Sequence, residues 1–220
     1  MRVRTKKWVR PELEACPFAL QDAFVNRGKW HSLYKDPQKP LWLELGCGKG
    51  GFISQIAPDN MDKNFLAIDL ISEMLGQAKC KLEAAYEEKG LQPDNIYICS
   101  WDIERIEQLL APGDTVERIF INFCNPWPKL RHQKKRLVHT RQLNHYRTFL
   151  AKEGIIEFKT DDDQMFEDSL TYFAEAGFEI LRISYDLHSE TDIKNYQTEH
   201  ERMFAAEGIK IKYLMAKAVE

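Results

Sequence analysis

At 220 residues with 44% hydrophobic content, the chain suits one domain, or one with a short appendage, and can build a real core. The formal net charge of −3 gives no bulk signal for nucleic-acid binding, so the distribution of charge has to carry any such role. Five scattered cysteines without a C-x-x-C pair argue against a disulfide framework or a zinc site and for a reducing cytoplasm, and no stretch resembles a membrane span or a signal peptide.

Residues 1–40 read as an N-terminal appendage broken up by Pro11, Pro17, Pro37 and Pro40, and carry a basic cluster of Arg2, Arg4, Lys6, Lys7 and Arg10. From residue 41 to 220 the pattern is that of one domain. Apolar runs at 41–45, 65–70, 96–99, 118–123 and 155–159 predict buried strands with helical patterns between them, which implies parallel pairing and right-handed crossovers. The clearest helix is 72–89, where Met74, Leu75, Ala78, Leu82 and Ala85 recur near helical spacing and Gly90 provides the stop. Runs at 178–185 and 209–217 alternate as an antiparallel edge does. The expected fold is a doubly wound, Rossmann-like α/β domain of about seven strands, mostly parallel with an antiparallel edge.

The first of these strands runs into Gly46-Cys47-Gly48-Lys49-Gly50-Gly51, a loop that lets a ligand approach the backbone. Gly46, Gly48 and Gly51 formally satisfy G-x-G-x-x-G, so a nicotinamide dinucleotide has to be weighed. Glu44 tilts the reading toward S-adenosylmethionine, because a carboxylate suits the cationic methionyl end of that cofactor and repels a pyrophosphate. Asp69 ends the second strand, where a carboxylate can accept ribose hydroxyls. Asp102 follows the third, beside Trp101 and Ile103, and is placed for an adenine amino group. The plain alternatives are that Asp69 starts a helix and Asp102 caps one.

After the fourth strand comes Asn125-Pro126-Trp127-Pro128, then six basic or imidazole side chains in residues 129–136: Lys129, Arg131, His132, Lys134, Lys135 and Arg136. Amide and aromatic groups suit a nucleobase, and clustered cations suit phosphates. Asp161 opens a run of three acids and a glutamine that also reads as a helix cap, and Thr198 to Glu201 reads equally as a capped helix start. The histidines show no metal spacing.

ELGCGKGGF at 44–52, FINFCNPWPKLRHQKKRL at 120–137, FKTD at 158–161 and TEHE at 198–201, together with Arg2-x-Arg4, resemble the bacterial tRNA (guanine-N7)-methyltransferases of the TrmB family in kind and order. The glycine loop is common to class I methyltransferases; the second motif is far more specific. The resemblance implies a tRNA substrate methylated at guanosine 46 of the variable loop, with S-adenosylmethionine held by Glu44, Gly46, Gly48, Asp69, Asp102 and Asn125. It also implies substrate contacts from Lys129, Asp161, Thr198, Glu199, His200 and Glu201, and RNA contacts from Arg131, His132, Gln133, Lys134, Lys135 and Arg136.

One departure stands out: many relatives carry Asp where this chain has Asn125, and Asn cannot serve as a general base. Guanine N7 has a lone pair and no proton, so Asn125 is expected to act by positioning. Competing readings are an amino-group N-methyltransferase, since Asn-Pro-Trp-Pro is akin to an Asn-Pro-Pro-aromatic turn, a non-catalytic RNA-binding subunit, and a nicotinamide oxidoreductase. Monomer and homodimer both remain open.

Overall fold

A computed structural model describes residues 5–219; Arg2 and Arg4 of the N-terminal basic cluster lie outside the described residues. In chain order the strands are β1 (Ala19–Leu20), β2 (Leu41–Leu45), β3 (Asn64–Asp69), β4 (Ile96–Ser100), β5 (Val116–Asn122), β6 (Leu150–Thr160), β7 (Phe178–Ser184) and β8 (Lys212–Ala218). The helices are α1 (Val9–Ala15), α2 (Ile53–Asp59), α3 (Ser72–Glu88), α4 (Thr140–Arg147), α5 (Asp163–Glu175) and α6 (Glu199–Ala206).

All eight strands form one sheet in the order β1-β4-β3-β2-β5-β6-β8-β7. Every pairing is parallel except those of β8, which runs antiparallel to both β6 and β7. From β2 the chain proceeds outward through β3 to β4, then returns to place β5 on the other side of β2. The strand order therefore reverses between β2 and β5, and in open α/β sheets the crevice at the carboxyl ends of such a pair is where ligands sit.

The pleat sends Leu41, Leu43 and Leu45 of β2 to a core shared with Leu143 and Tyr146 of α4 and Phe166 and Phe173 of α5. The opposite face packs Phe65 and Ala67 of β3 against Ile53 and Ile56 of α2 and Leu75 and Leu82 of α3. Both faces are thus covered, which is why the central strands read as continuous apolar runs.

The eighth strand, one more than the sequence suggested, comes from the first forty residues. That segment is joined to the domain at several points. β1 extends the sheet beyond β4, and α1 lies on α3 at Gly76, where an added Cβ would stand 2.9 Å from Val9. Trp30 is fully buried, donating its backbone N–H to Asp114 and its indole N–H to the Leu109 carbonyl, both at 2.9 Å. Asp114, also fully buried, accepts further N–H bonds from Gly28 and Ala111, so its burial is compensated.

Candidate functional site

The crevice between β2 and β5 is built around Glu44. Its side chain is 2% exposed; Oε1 accepts a hydrogen bond from Asn122 Nδ2 at 3.2 Å, and Oε2 is buried with no partner. Burial pushes the carboxyl up to about 8, and the Asn122 hydrogen bond pulls the other way. Next to it the glycine loop folds onto β3, with the N–H groups of Gly46 and Cys47 both reaching the Ile68 carbonyl, at 2.8 and 3.0 Å. Gly50 is required twice over: its φ is +75°, and a Cβ there would stand 2.8 Å from Ala78.

Asp69, at the end of β3, accepts from Gly48 N–H at 2.8 Å and from Ile71 N–H at 2.9 Å ahead of α3. Burial raises this carboxyl above its ordinary range. Asp102, just past β4, accepts from Glu104 N–H at 3.0 Å and so caps a short 3-10 turn, yet its side chain is 45% exposed. The capping alternative is present at Asp102 without exhausting its carboxylate, which has further lone pairs open to solvent. Three acids thus end three adjacent strands at one edge of the crevice. Beside them Phe24, from the first forty residues, lies 6.3 Å from the Trp101 ring.

On the other side, β5 stops at Asn122 and the chain turns sharply. Phe123 takes φ +53° and Trp127 takes φ +42°, a strained conformation for bulky residues that is held by Phe123 N–H donating to the Lys159 carbonyl at 2.9 Å. Asn125 is exposed between them and makes no hydrogen bond among the described residues. Trp127 stacks on His132 with centroids 5.8 Å apart, and Lys135 Nζ lies 5.3 Å from the Trp127 ring.

Lys129, Arg131, Lys134 and Lys135 are exposed, while His132 and Gln133 are half-buried. Arg136 departs from its expected place in an RNA strip. It is 1% exposed, donates to the Pro126 carbonyl at 2.6 Å and pairs with Asp168 of α5 at 2.6 Å. Its guanidinium supports the turn from beneath and is closed off from RNA.

The acidic run after β6 separates into two roles. Asp162 caps α5, accepting from Met165 N–H at 2.6 Å. Asp161 gives only its main-chain carbonyl, to Lys212 Nζ at 3.0 Å, and its carboxylate has no hydrogen-bond or ionic partner among the described residues. Thr198 caps α6 by accepting from Glu201 N–H at 3.0 Å, beside Gly51 of the glycine loop.

Glu201 also differs from expectation. It is fully buried, and its oxygens are taken by His188 Nε2 at 2.8 Å, Lys159 Nζ at 3.4 Å and the Asn195 amide, so it anchors the turn and has no free face for substrate. Glu199 pairs with Lys81 of α3, and exposed His200 lies 6.4 Å from the Phe123 ring. The sequence reading missed Asn122 and Lys159. A polar residue closing an apolar strand was the available signal for both. Among the described residues no three His, Cys, Asp or Glu side chains are grouped to hold a metal ion.

Comparison with known proteins fits this geometry. A methyltransferase family profile matches residues 38–214. The chain is 53% identical over 216 residues to a tRNA (guanine-N(7)-)-methyltransferase of Clostridium beijerinckii, covering 98% of each. It is 49% identical over 217 residues to one of Acetivibrio thermocellus, covering 99% of each. Among solved structures, the 16S rRNA methyltransferase KamB superposes with a TM-score of 0.62 over 86% of this chain and 91% of that one, at 17% identity, a likeness of fold.

Proposed function

The chain belongs to the family of bacterial tRNA (guanine-N7)-methyltransferases, and from that premise we propose that it transfers a methyl group from S-adenosylmethionine to N7 of guanosine 46 in the variable loop of tRNA. The cofactor half rests on Glu44. A buried carboxylate with one oxygen lacking any partner fits a ligand that brings its own cation, because a buried charge is costly until it is paired. The α-ammonium of S-adenosylmethionine meets that need; the pyrophosphate of a dinucleotide would oppose it. Asp69 has lone pairs left for ribose hydroxyls, and the exposed side of Asp102 is open to an adenine amino group beside Trp101.

The cofactor supplies a sulfonium methyl group, chemistry that no side chain here can provide. Guanine N7 takes the methyl with its own lone pair as the carbon–sulfur electron pair withdraws to sulfur, and no proton has to leave. Asn125 therefore has nothing to deprotonate, and its free amide positions the reactants. Asp161, with an unpartnered carboxylate, accepts from the N1–H and N2–H of guanine and offsets the positive charge arriving on the ring. Thr198 and His200 close the pocket from α6, while Glu201 holds them from below. Lys129, Arg131, Lys134 and Lys135 grip phosphates. Work on tRNA belongs in the cytoplasm, and among the described residues no helix is long and apolar enough to cross a membrane.

The test is nucleoside mass spectrometry of tRNA lacking the modification, after incubation with protein and S-adenosylmethionine. 7-Methylguanosine is expected, mapping to the variable loop. Methylation of another atom, or none, overturns the proposal.

A further inference from the structure

Asn122 closes β5 two residues past Phe120, the register partner of Glu44, and the Glu44 carboxylate has one oxygen held by the Asn122 amide and the other without a partner. We propose that Asn122 is a positioning residue that turns the Glu44 carboxylate toward the cofactor's ammonium by donating to one of its oxygens. This rests on the cofactor reading above and deepens it.

The geometry supports the role in two ways. Asn122 is 9% exposed, so its Nδ2–H donates in a site where hydrogen bonds to charge are strong and water competes weakly. The bond also makes the two oxygens unequal: Oε1 is held by Asn122, and the buried Oε2 is the one left without a partner.

Other groups act on Glu44 from each neighbouring element. Asp69 of β3 raises it, while Lys159 of β6 and the Ile53 N–H at the start of α2 lower it; the Cys47 thiol of the glycine loop lies close enough to be raised by Glu44 in turn. Burial leaves Glu44 protonated at neutral pH in the free protein, near 8. A cationic ligand that pairs with the anion must then release a proton, so its affinity rises with pH up to about 8 and levels off above.

Calorimetry with S-adenosylhomocysteine from pH 6 to 9, in two buffers of different protonation enthalpy, tests this. The wild type is expected to bind with proton release near neutrality. Asn122→Leu and the isosteric Asn122→Asp remove the amide donor, so both should bind roughly tenfold more weakly at pH 7, with the plateau moved to higher pH. Glu44→Gln provides the baseline: weak binding whose pH dependence is that of the ligand's own amine. If the wild type does not bind S-adenosylhomocysteine, the cofactor reading itself falls. If it binds with proton release and both Asn122 variants lose affinity by a factor independent of pH, or lose none, Asn122 is merely structural. Proton release by Glu44→Gln equal to that of the wild type also overturns the proposal.

Discussion

Asp161 and Asp162 are adjacent carboxylates whose surroundings give them opposite work. Asp162 caps the start of α5 by accepting from Met165 N–H, whereas the Asp161 carboxylate has no partner among the described residues. Asp162→Ala is therefore expected to cost about 1 kcal/mol of stability, as lost caps do, with kcat little changed. Asp161→Asn should leave the melting temperature unchanged and, under the proposed mechanism, lower kcat on tRNA roughly a hundredfold by removing the charge that offsets the one arriving on guanine. Single-turnover kinetics and calorimetry on the two variants separate these outcomes. The run of three acids and a glutamine was legible as a helix start. Its capping reading falls on Asp161, with Gln164 three residues on; the structure moves the cap to Asp162, because Thr160 ends β6 and accepts from Asp162 N–H at 3.1 Å. Asn125 makes a sharper case. With no proton to remove from N7, Asn125→Asp should keep kcat/KM within a few-fold of the natural protein between pH 7 and 8. A large gain would mean that this chain had lost a catalytic group.

At the scale of elements, the turn after β5 and the strip that follows it act as one unit because Arg136 joins them. Its guanidinium reaches the Pro126 carbonyl behind it and Asp168 of α5 in front, so the strained Phe123 and Trp127 are held from below. Arg136 is buried while Asp168 is a quarter exposed and keeps a hydrogen bond from Gln164, so Arg136→Ala is expected to destabilise the fold by about 1.5 to 3 kcal/mol, the worth of lost hydrogen bonds to charge. Exposed Lys134 predicts the reverse pattern: Lys134→Ala should leave unfolding in urea unchanged while reducing the salt dependence of tRNA binding by roughly one counterion. The six basic or imidazole side chains were plain in the sequence as a cluster. Their division into a buried support and an exposed grip was hidden, because the partner that buries Arg136 lies on α5, beyond β6. By contrast β2 and α3 were readable almost to their ends, since hydrophobic periodicity and a terminal glycine are local signals. The two residues of β1 carry no such signal; they pair only because the edge of β4 offers them a place.

In the molecule as a whole, Glu44 breaks the rule that buried polar atoms find partners, and it does so where the strand order reverses. Such violations are expected at functional sites and are offset elsewhere in the fold. Glu44 titrates near 8 in the folded protein and near its ordinary value of 4.5 when unfolded. Between those values the folded state holds the extra proton. Stability contributed by this group is therefore greatest in acid and is lost as pH rises toward 8, by an amount on the order of several kcal/mol. Asp59 runs the other way: the Lys89 ammonium holds it down at about 2, so its contribution is present above its ordinary value of 3.8 and disappears as pH falls through 2. The two windows do not overlap, and the alkaline one isolates Glu44. Melting temperatures of the wild type should fall between pH 6 and 8.5, and those of Glu44→Gln should fall less over the same range. Saturating S-adenosylhomocysteine should stabilise the wild type most at pH 8.5, where its ammonium pairs with a carboxylate already ionised. Parallel curves for the two proteins, with and without ligand, would show that Glu44 carries no buried titration and that the crevice was not built around it.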